Sequence, residues 1–295
     1  MINPTSTKIS IGVPTYNSSK YLNECIRSIV NLKNVDEIII SDDGSSAAEV
    51  NKIEKIVNEY KKNSQKIFRF IKNKENSGAF VNKYNLIKES RNDFIYILDS
   101  DNIAGKNLDK VIESVTTSDS SKNLLIQPNT MYQFWEYPML AKLMSKFDKK
   151  YKVKFFHNNS VLNMKNVKDL LILNSGDYDL KNFVSNSNKL KSDIKKDPII
   201  DKWVFWILNC GNFIVNKEKI LKVTKKGLDM ERSLRSVDAI VFSYLWLLEG
   251  YSIKVDKNFY HHHRKRNDSV SFLEMQDSKS SIQYFVAKVI NYKDS

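Results

Sequence analysis

The first hundred residues alternate between two apolar rhythms, and that alternation restricts the fold more than any other feature of the chain. Lys8–Pro14 is a run of strand formers stopped by a proline. Ser18 and Ser19 precede a stretch to Leu32 in which Leu22, Ile26, Ile29 and Val30 recur at helical spacing. Glu37–Ser41 reads as a second, buried strand, and a helix follows over about Ala47–Lys62. Ile67–Ile71, Ala79–Ser90 and Phe94–Leu98 continue the series as strand, helix and strand. Such a series predicts an α/β fold with a Rossmann-like, mostly parallel sheet flanked by helices.

Four polar clusters interrupt this rhythm: Pro14–Ser19, Asp42–Ser46, Asn73–Gly78 and Asp99–Asn102. All four fall at the carboxyl ends of strands, the edge where open α/β sheets take their ligands. The last cluster, Asp99-Ser100-Asp101, places two carboxylates with one small residue between them. Alternate residues of a strand face the same way, so the pair would point together as the strand stops. Crowded carboxylates repel unless a cation lies between them, and a hard divalent ion with oxygen ligands suits the pair. Asp-Ser-Asp-Asn is equally good turn chemistry, so these four residues alone leave both readings open.

The chain has 295 residues, 41% hydrophobic and 27% charged, enough for one large domain or a domain with an appendage. No apolar run approaches the roughly 20 residues that span a bilayer. Met1–Thr5 shows no charged-then-apolar leader, and the two cysteines, Cys25 and Cys210, suit reduced, packed thiols. A cytoplasmic protein is expected. The net charge of +13 favours anionic partners such as nucleotide phosphates or an anionic membrane face. The lysines are scattered and no aromatic-basic motif accompanies them, so nucleic acid is not an expected partner.

The second half is less regular. Leu124–Pro128, Asn212–Val215 and Tyr251–Val255 read as strands, and Met139–Phe147 and Val167–Leu173 as helices. Val237–Glu249 is an apolar helix ended by Gly250. Tyr260–Ser269 is a basic run holding His261, His262 and His263. In an extended segment His261 and His263 share one face and His262 the other. The tail, Ser280–Tyr292, places Ile282, Phe285, Val286, Val289 and Ile290 on one helical face. Such a stripe packs on its own domain, or else touches a membrane or a second subunit.

Val13-Pro14-Thr15-Tyr16-Asn17, Ser41-Asp42-Asp43-Gly44-Ser45, Asn76-Ser77-Gly78 and Leu98-Asp99-Ser100-Asp101 together resemble the inverting family 2 glycosyltransferases of GT-A fold. The resemblance covers about the first 115 residues well and the remainder loosely. It implies that Tyr16 stacks on a nucleobase, that the Pro14 backbone helps hold it, and that Asp43 accepts a hydrogen bond from a uracil-like N–H. It implies Lys83 near the diphosphate, Asp101 as the direct metal ligand, and Asp99 and Ser100 beside the ribose or a metal-bound water. Asp238, at the start of the Val237–Glu249 helix, stands where the family carries an acidic pair and becomes the candidate general base. Asp177, Asp179, Asp229 and Glu231 are the alternatives. His263 matches the first histidine of a family segment that completes the metal site, with His261 as the alternative, while Arg266 replaces the second. Arg264, Lys265 and Arg266 would clamp the diphosphate.

The implied activity is transfer of a sugar from a nucleotide-diphospho-sugar, a UDP-sugar, to a hydroxyl of a surface polysaccharide or lipid-linked glycan. The implied cofactor is a divalent metal, Mn or Mg. Residues 1–115 would be the nucleotide-sugar half, 116–265 the acceptor-side half, and 266–295 a C-terminal loop and amphipathic helix. Two other classes share parts of the pattern: a sugar nucleotidyltransferase, and a non-catalytic glycan- or polyanion-binding protein on a degenerate transferase scaffold. The first should carry a glycine-rich basic loop after its first strand, and Val13–Asn17 is not one.

Overall fold

The computed structural model describes residues 8–135, 152–154, 159–175, 205–208, 210–228, 238–266 and 284–292. Strands β1 (Ile9–Thr15), β2 (Val35–Asp42), β3 (Ile67–Lys72) and β4 (Phe94–Ile97) are joined by helices α1 (Ser19–Ile29), α2 (Ala47–Asn63) and α3 (Ala79–Glu89). They lie in the order β3-β2-β1-β4, every neighbour parallel. The expected alternation is therefore present within two residues at each end, except that α1 stops at Ile29, three residues before the expected Leu32.

Then follow β5 (Ile103–Ala104), α4 (Leu108–Thr116), β6 (Leu124–Trp135), β7 (Lys152–Lys154), β8 (Ser160–Leu162) and α5 (Met164–Ser175). Beyond them come α6 (Phe205–Leu208), β9 (Phe213–Asn216), α7 (Lys217–Thr224), α8 (Asp238–Leu248) and β10 (Ser252–Lys265), with a last helix, α9, over 284–290. The sheet continues from β4 as β9-β6-β10-β5. Here it turns mixed: β9 is antiparallel to β4 and β6, whereas β10 runs parallel to β6.

Two strands are longer than the sequence pattern suggested. The strand at Leu124–Pro128 runs on to Trp135, and the one at Tyr251–Val255 runs on through the histidines to Lys265. They pair with each other on both sides of a register shift between Asp256 and Tyr260. Pro128 faces Asp256 at that irregularity, where a residue without an N–H does least harm to the ladder. The basic run is thus sheet as far as Lys265, flanked by β6 on one side and by the two-residue β5 on the other.

Strand residues alternate between two cores. Ile11, Val13, Ile38, Ile40, Tyr96 and Leu98 pack with α1, α2 and α4. Ile39, Ile95, Ile97, Phe213 and Val215 pack with α3, α5, α7 and α8. Cys25 and Cys210 are both free and buried. In the tail, Phe285, Val286, Val289 and Ile290 are buried in the second core, with Phe285 5.3 Å from the Tyr244 ring. The described part of the apolar stripe is therefore spent on the domain itself. Ile282 and the expected helix at Met139–Phe147 lie outside the described residues. Among the described residues no helix is long and apolar enough to cross a membrane.

Candidate functional site

Three loops at the carboxyl edge of the sheet interlock. Asn17 takes a left-handed backbone (φ 47°), its N–H donates to Ser45 Oγ at 2.8 Å, and its Oδ1 accepts from Ser46 N–H at 3.2 Å. Asp42 caps its own turn by accepting from Ser45 N–H at 2.9 Å. Gly44 has φ +72°, and a Cβ there would sit 2.4 Å from the Glu75 carbonyl carbon. No other residue fits so close a backbone approach.

Asp43 is buried at the centre. Its Oδ1 accepts from Ser77 N–H (3.0 Å), Ser77 Oγ (2.8 Å) and Asn73 Nδ2 (3.2 Å), and its Oδ2 from Gly78 N–H (2.9 Å). The residue expected to receive a base N–H therefore also builds the loop before α3. Of its two oxygens Oδ2 carries one donor against three on Oδ1, and is the less committed. Tyr16, 39% exposed, stands at the rim of this assembly, and the Pro14 backbone pairs with Ser41 beneath it.

Next to these loops two partly exposed carboxylates meet a buried lysine. Lys83, on α3, is 4% exposed in its side chain; its Nζ is 2.8 Å from Asp99 Oδ1 and 2.7 Å from Asp238 Oδ2. Asp238 begins α8, where the helix dipole favours an acid by roughly 0.3–1 kcal/mol. The shielded Lys83 pair is the stronger hold. Gly211 closes the cluster: a Cβ there would be 2.8 Å from Asp99 Oδ2 and 3.3 Å from Lys83 Nζ. Two carboxylates share one cation, which explains the proton affinities. Burial pushes Asp99 up to about 6, against the pull of Lys83, and Asp238 and Asp101 add to the rise. Burial opposes the Lys83 charge, yet Asp238 and Asp99 outweigh it and hold the ammonium above its ordinary range.

Asp101 points to different partners. Its Oδ2 is 3.1 Å from Arg266 Nε, and Arg266 Nη1 donates to Ser18 Oγ at 3.2 Å. The Arg266 guanidinium lies 5.2 Å from the Tyr21 ring centre. Arg264 is held more fully, paired with Glu24 and placed between the Tyr21 and Phe134 rings at 4.7 and 4.6 Å. Its Nε donates to the Asp101 carbonyl at 3.2 Å, so it braces the acidic turn from below. Ser100, between the two aspartates, is buried, and the turn closes with Asn102 N–H on the Asp99 carbonyl at 2.9 Å.

The histidines separate as strand alternation requires. His261 is buried, with Nε2 3.3 Å from Asn212 Nδ2, and burial together with its two histidine neighbours lowers it to about 3. It is a neutral core side chain. His262 stacks on Tyr132 at 5.3 Å. His263 is half-buried on the same face as His261, with ring centres 6.1 Å apart.

A divalent ion of the kind the sequence resemblance implies would find oxygen and imidazole donors here. Among the described residues no three His, Cys, Asp or Glu side chains converge on one point. That suits Mg- or Mn-type ions, which rest on one or two protein ligands and complete their shell with phosphate and water. Asp101, 17% exposed in its side chain and held by a monovalent partner, has the chemistry for it, and His263 follows on the adjoining strand.

The strand ends thus bring Tyr16, Asp43, Lys83, Asp99, Ser100, Asp101, Asp238, His263, Arg264 and Arg266 to one edge of the sheet. Asp177, Asp179, Asp229 and Glu231, and the side chain of Lys265, lie outside the described residues. Sequence reasoning gave Asn212 no role in the donor half, yet its Oδ1 accepts from Asp99 N–H at 2.9 Å while its amide reaches His261. Its place at the head of β9 was the available signal.

Comparison with known proteins speaks to the family and the fold. Residues 10–164 match the family described as Glycosyl transferase family 2. A poly(ribitol-phosphate) beta-glucosyltransferase of Bacillus spizizenii is 33% identical over 101 residues, 33% of this chain and 15% of that protein. An uncharacterized glycosyltransferase of Methanocaldococcus jannaschii is 36% identical over 99 residues, 32% of each. The chain thus matches a third or less of the length of these relatives. S. aureus TarS 1-349 in complex with UDP-GlcNAc superposes with a TM-score of 0.54 at 17% identity, over 89% of this chain and 60% of that one. The Pyrobaculum calidifontis mannosyltransferase PcManGT, in complex with GDP-Man and Mn2+, gives 0.55 at 11% identity, over 98% and 66%. At such identities the likeness speaks for the GT-A fold alone. With more than half its length matched, the chain belongs to glycosyl transferase family 2.

Proposed function

We propose that the protein is a cytoplasmic, inverting glycosyltransferase that moves a sugar from a UDP-sugar to a hydroxyl of a surface polysaccharide or lipid-linked glycan. The observation that carries this reading is the Lys83 bridge between Asp99 and Asp238. It puts the candidate general base directly beside the acidic turn, although the two are far apart in sequence. TarS with UDP-GlcNAc and the poly(ribitol-phosphate) transferase support a UDP-sugar donor and a surface-polymer acceptor.

In this reading residues 1–115 hold the nucleotide, 116–265 face the acceptor, and 266–295 close the chain. Tyr16 stacks on the base, Asp43 takes its N–H, and Lys83 and Arg266 reach the diphosphate. Asp101 and His263 hold a divalent ion, Mn or Mg, which when bound offsets charge on the departing diphosphate. Asp238 takes the proton of the acceptor hydroxyl as that oxygen attacks the anomeric carbon from the face opposite the leaving group. One displacement inverts the centre and needs no covalent intermediate. Lys83 leaves Asp238 for the diphosphate as the donor seats, which frees the base only when there is a sugar to transfer.

The test is UDP release from a panel of UDP-sugars with Mn²⁺, with and without glycan acceptors. Asp238→Asn should bind UDP normally and lose transfer by a factor of at least 10². Near-normal transfer by Asp238→Asn would remove the base assignment. The absence of UDP binding to the native protein would remove the donor assignment.

A further inference from the structure

We propose that Arg266 is a positioning residue: it keeps a divalent cation off Asp101 until a nucleotide diphosphate draws its guanidinium away. This rests on the reading above, in which both the ion and the diphosphate belong to this edge of the sheet. The geometry that points to it is a competition for one carboxylate. Arg266 Nε is 3.1 Å from Asp101 Oδ2, and the two side chains are only 10% and 17% exposed. A second cation on that oxygen must displace the guanidinium or endure its repulsion at close range.

The other contacts of Arg266 include a neutral hydrogen bond to Ser18 Oγ at 3.2 Å and the face of Tyr21 at 5.2 Å. Both belong to the start of α1, directly after the turn that carries Tyr16. Arg264, two residues earlier, is spoken for by Glu24, two aromatic rings and the Asp101 carbonyl. A diphosphate presents more charge than one carboxylate and matches the guanidinium fork in two-point contact. Transfer of Arg266 from Asp101 to the diphosphate therefore does two things at once: it grips the donor and bares the ion's ligand.

Linkage makes this measurable without catalysis. If the diphosphate releases Asp101, UDP must strengthen divalent-ion binding, and the ion must strengthen UDP binding by the same factor. The factor expected for such a coupling is on the order of tenfold. Mn²⁺ binding is titrated by the loss of its free-ion paramagnetic resonance signal, with and without saturating UDP, in the native protein and in Arg266→Gln. The native protein should bind Mn²⁺ weakly alone and about tenfold more tightly with UDP. Arg266→Gln should bind Mn²⁺ about tenfold more tightly than native without UDP, and gain less than the native protein does from adding it. Arg266→Lys, which keeps the charge, should restore the native pattern. Ser18→Ala, which removes one hold on the guanidinium, should shift UDP-free Mn²⁺ affinity in the same direction by a smaller factor, and it serves if Arg266→Gln fails to fold.

Equal or weaker UDP-free Mn²⁺ affinity in Arg266→Gln overturns the proposal. UDP binding measured separately without metal distinguishes the other failures. If UDP binds and neither protein takes up Mn²⁺, both the proposal and the metal assignment fall while the nucleotide assignment stands. If UDP itself does not bind, the functional reading is lost and the proposal with it.

Discussion

Lys83 Nζ lies 2.7 Å from Asp238 Oδ2, joining α3 to the first residue of α8. The lysine is almost fully shielded, and Asp99 is its second partner at 2.8 Å. One buried cation thus sets the mutual position of two carboxylates on different elements.

Replacing Lys83 by Met strands two carboxylates beside each other. Breaking a shielded ion pair from one side costs about 3 kcal/mol or more, because the remaining charge has lost its counterion. Urea unfolding at pH 7 measures the loss. Lys83→Arg should recover part of the stability, and a Met variant as stable as the native protein would show that the bridge contributes nothing.

Gly211→Ala tests the tightness of the same cluster. Its new Cβ would come within 2.8 Å of Asp99 Oδ2 and 3.3 Å of Lys83 Nζ. Both are ends of side chains and can yield, so the fold should survive while the reacting groups shift. Transfer should fall on the order of tenfold or more with little change in melting temperature. Steady-state UDP-release kinetics beside a thermal melt separate these effects.

Gly44→Ala tests the loops instead. The left-handed φ of +72° and the 2.4 Å approach to the Glu75 backbone leave the methyl group no room. We expect a stability loss of about 2 kcal/mol or more and weaker UDP binding, since Asn17 and Tyr16 are anchored to the same turn. Unchanged calorimetric UDP affinity in a folded variant would dissociate the turn from nucleotide binding.

Asp99 and His261 predict opposite pH slopes. Asp99 rises from its ordinary 3.8 to about 6 in the fold. Between those values the folded state holds more protons than the unfolded, so its contribution is complete below 3.8 and is lost as pH rises through 6. Subtracting the stability-versus-pH curve of Asp99→Asn from the native curve should show that fall, and a flat difference would refute it.

His261 falls from its ordinary 6.5 to about 3. The unfolded state then binds the extra proton, and stability present above 6.5 is lost as pH drops toward 3. His261→Gln should unfold less readily in acid, relative to its own stability at neutral pH, than the native protein does. Parallel curves for the two proteins would place the histidine's proton elsewhere.

The strand-end loops were legible because their signals are local: a proline stop, an Asp-Asp-Gly-Ser turn and an acidic pair each announce themselves within five residues. The same locality concealed the rest. Nothing near Lys83 in the chain reveals that Asp238 is its partner, and the sequence left it as readily a solvated lysine. Pro128 and the polar Asp256-Lys257-Asn258 hid the continuation of β6 and β10, because their mutual ladder resumes only beyond an irregularity. Period-two alternation separated His262 from its neighbours, but which side faced the core depended on Asn212, from another strand. Arg264 and Arg266 looked equivalent in a basic run, and the structure tells them apart by Phe134 and Glu24 on the first and the Asp101 carboxylate on the second.

Asp43 gathers donors from Asn73, Ser77 and Gly78, while its own turn pins Asn17 through Ser45 and Ser46. Three segments that are separate in the gene therefore form one mechanical part. A chimera that borrows any single one of them from a relative would import half of a joint. Grafts meant to change nucleotide preference should exchange all three together.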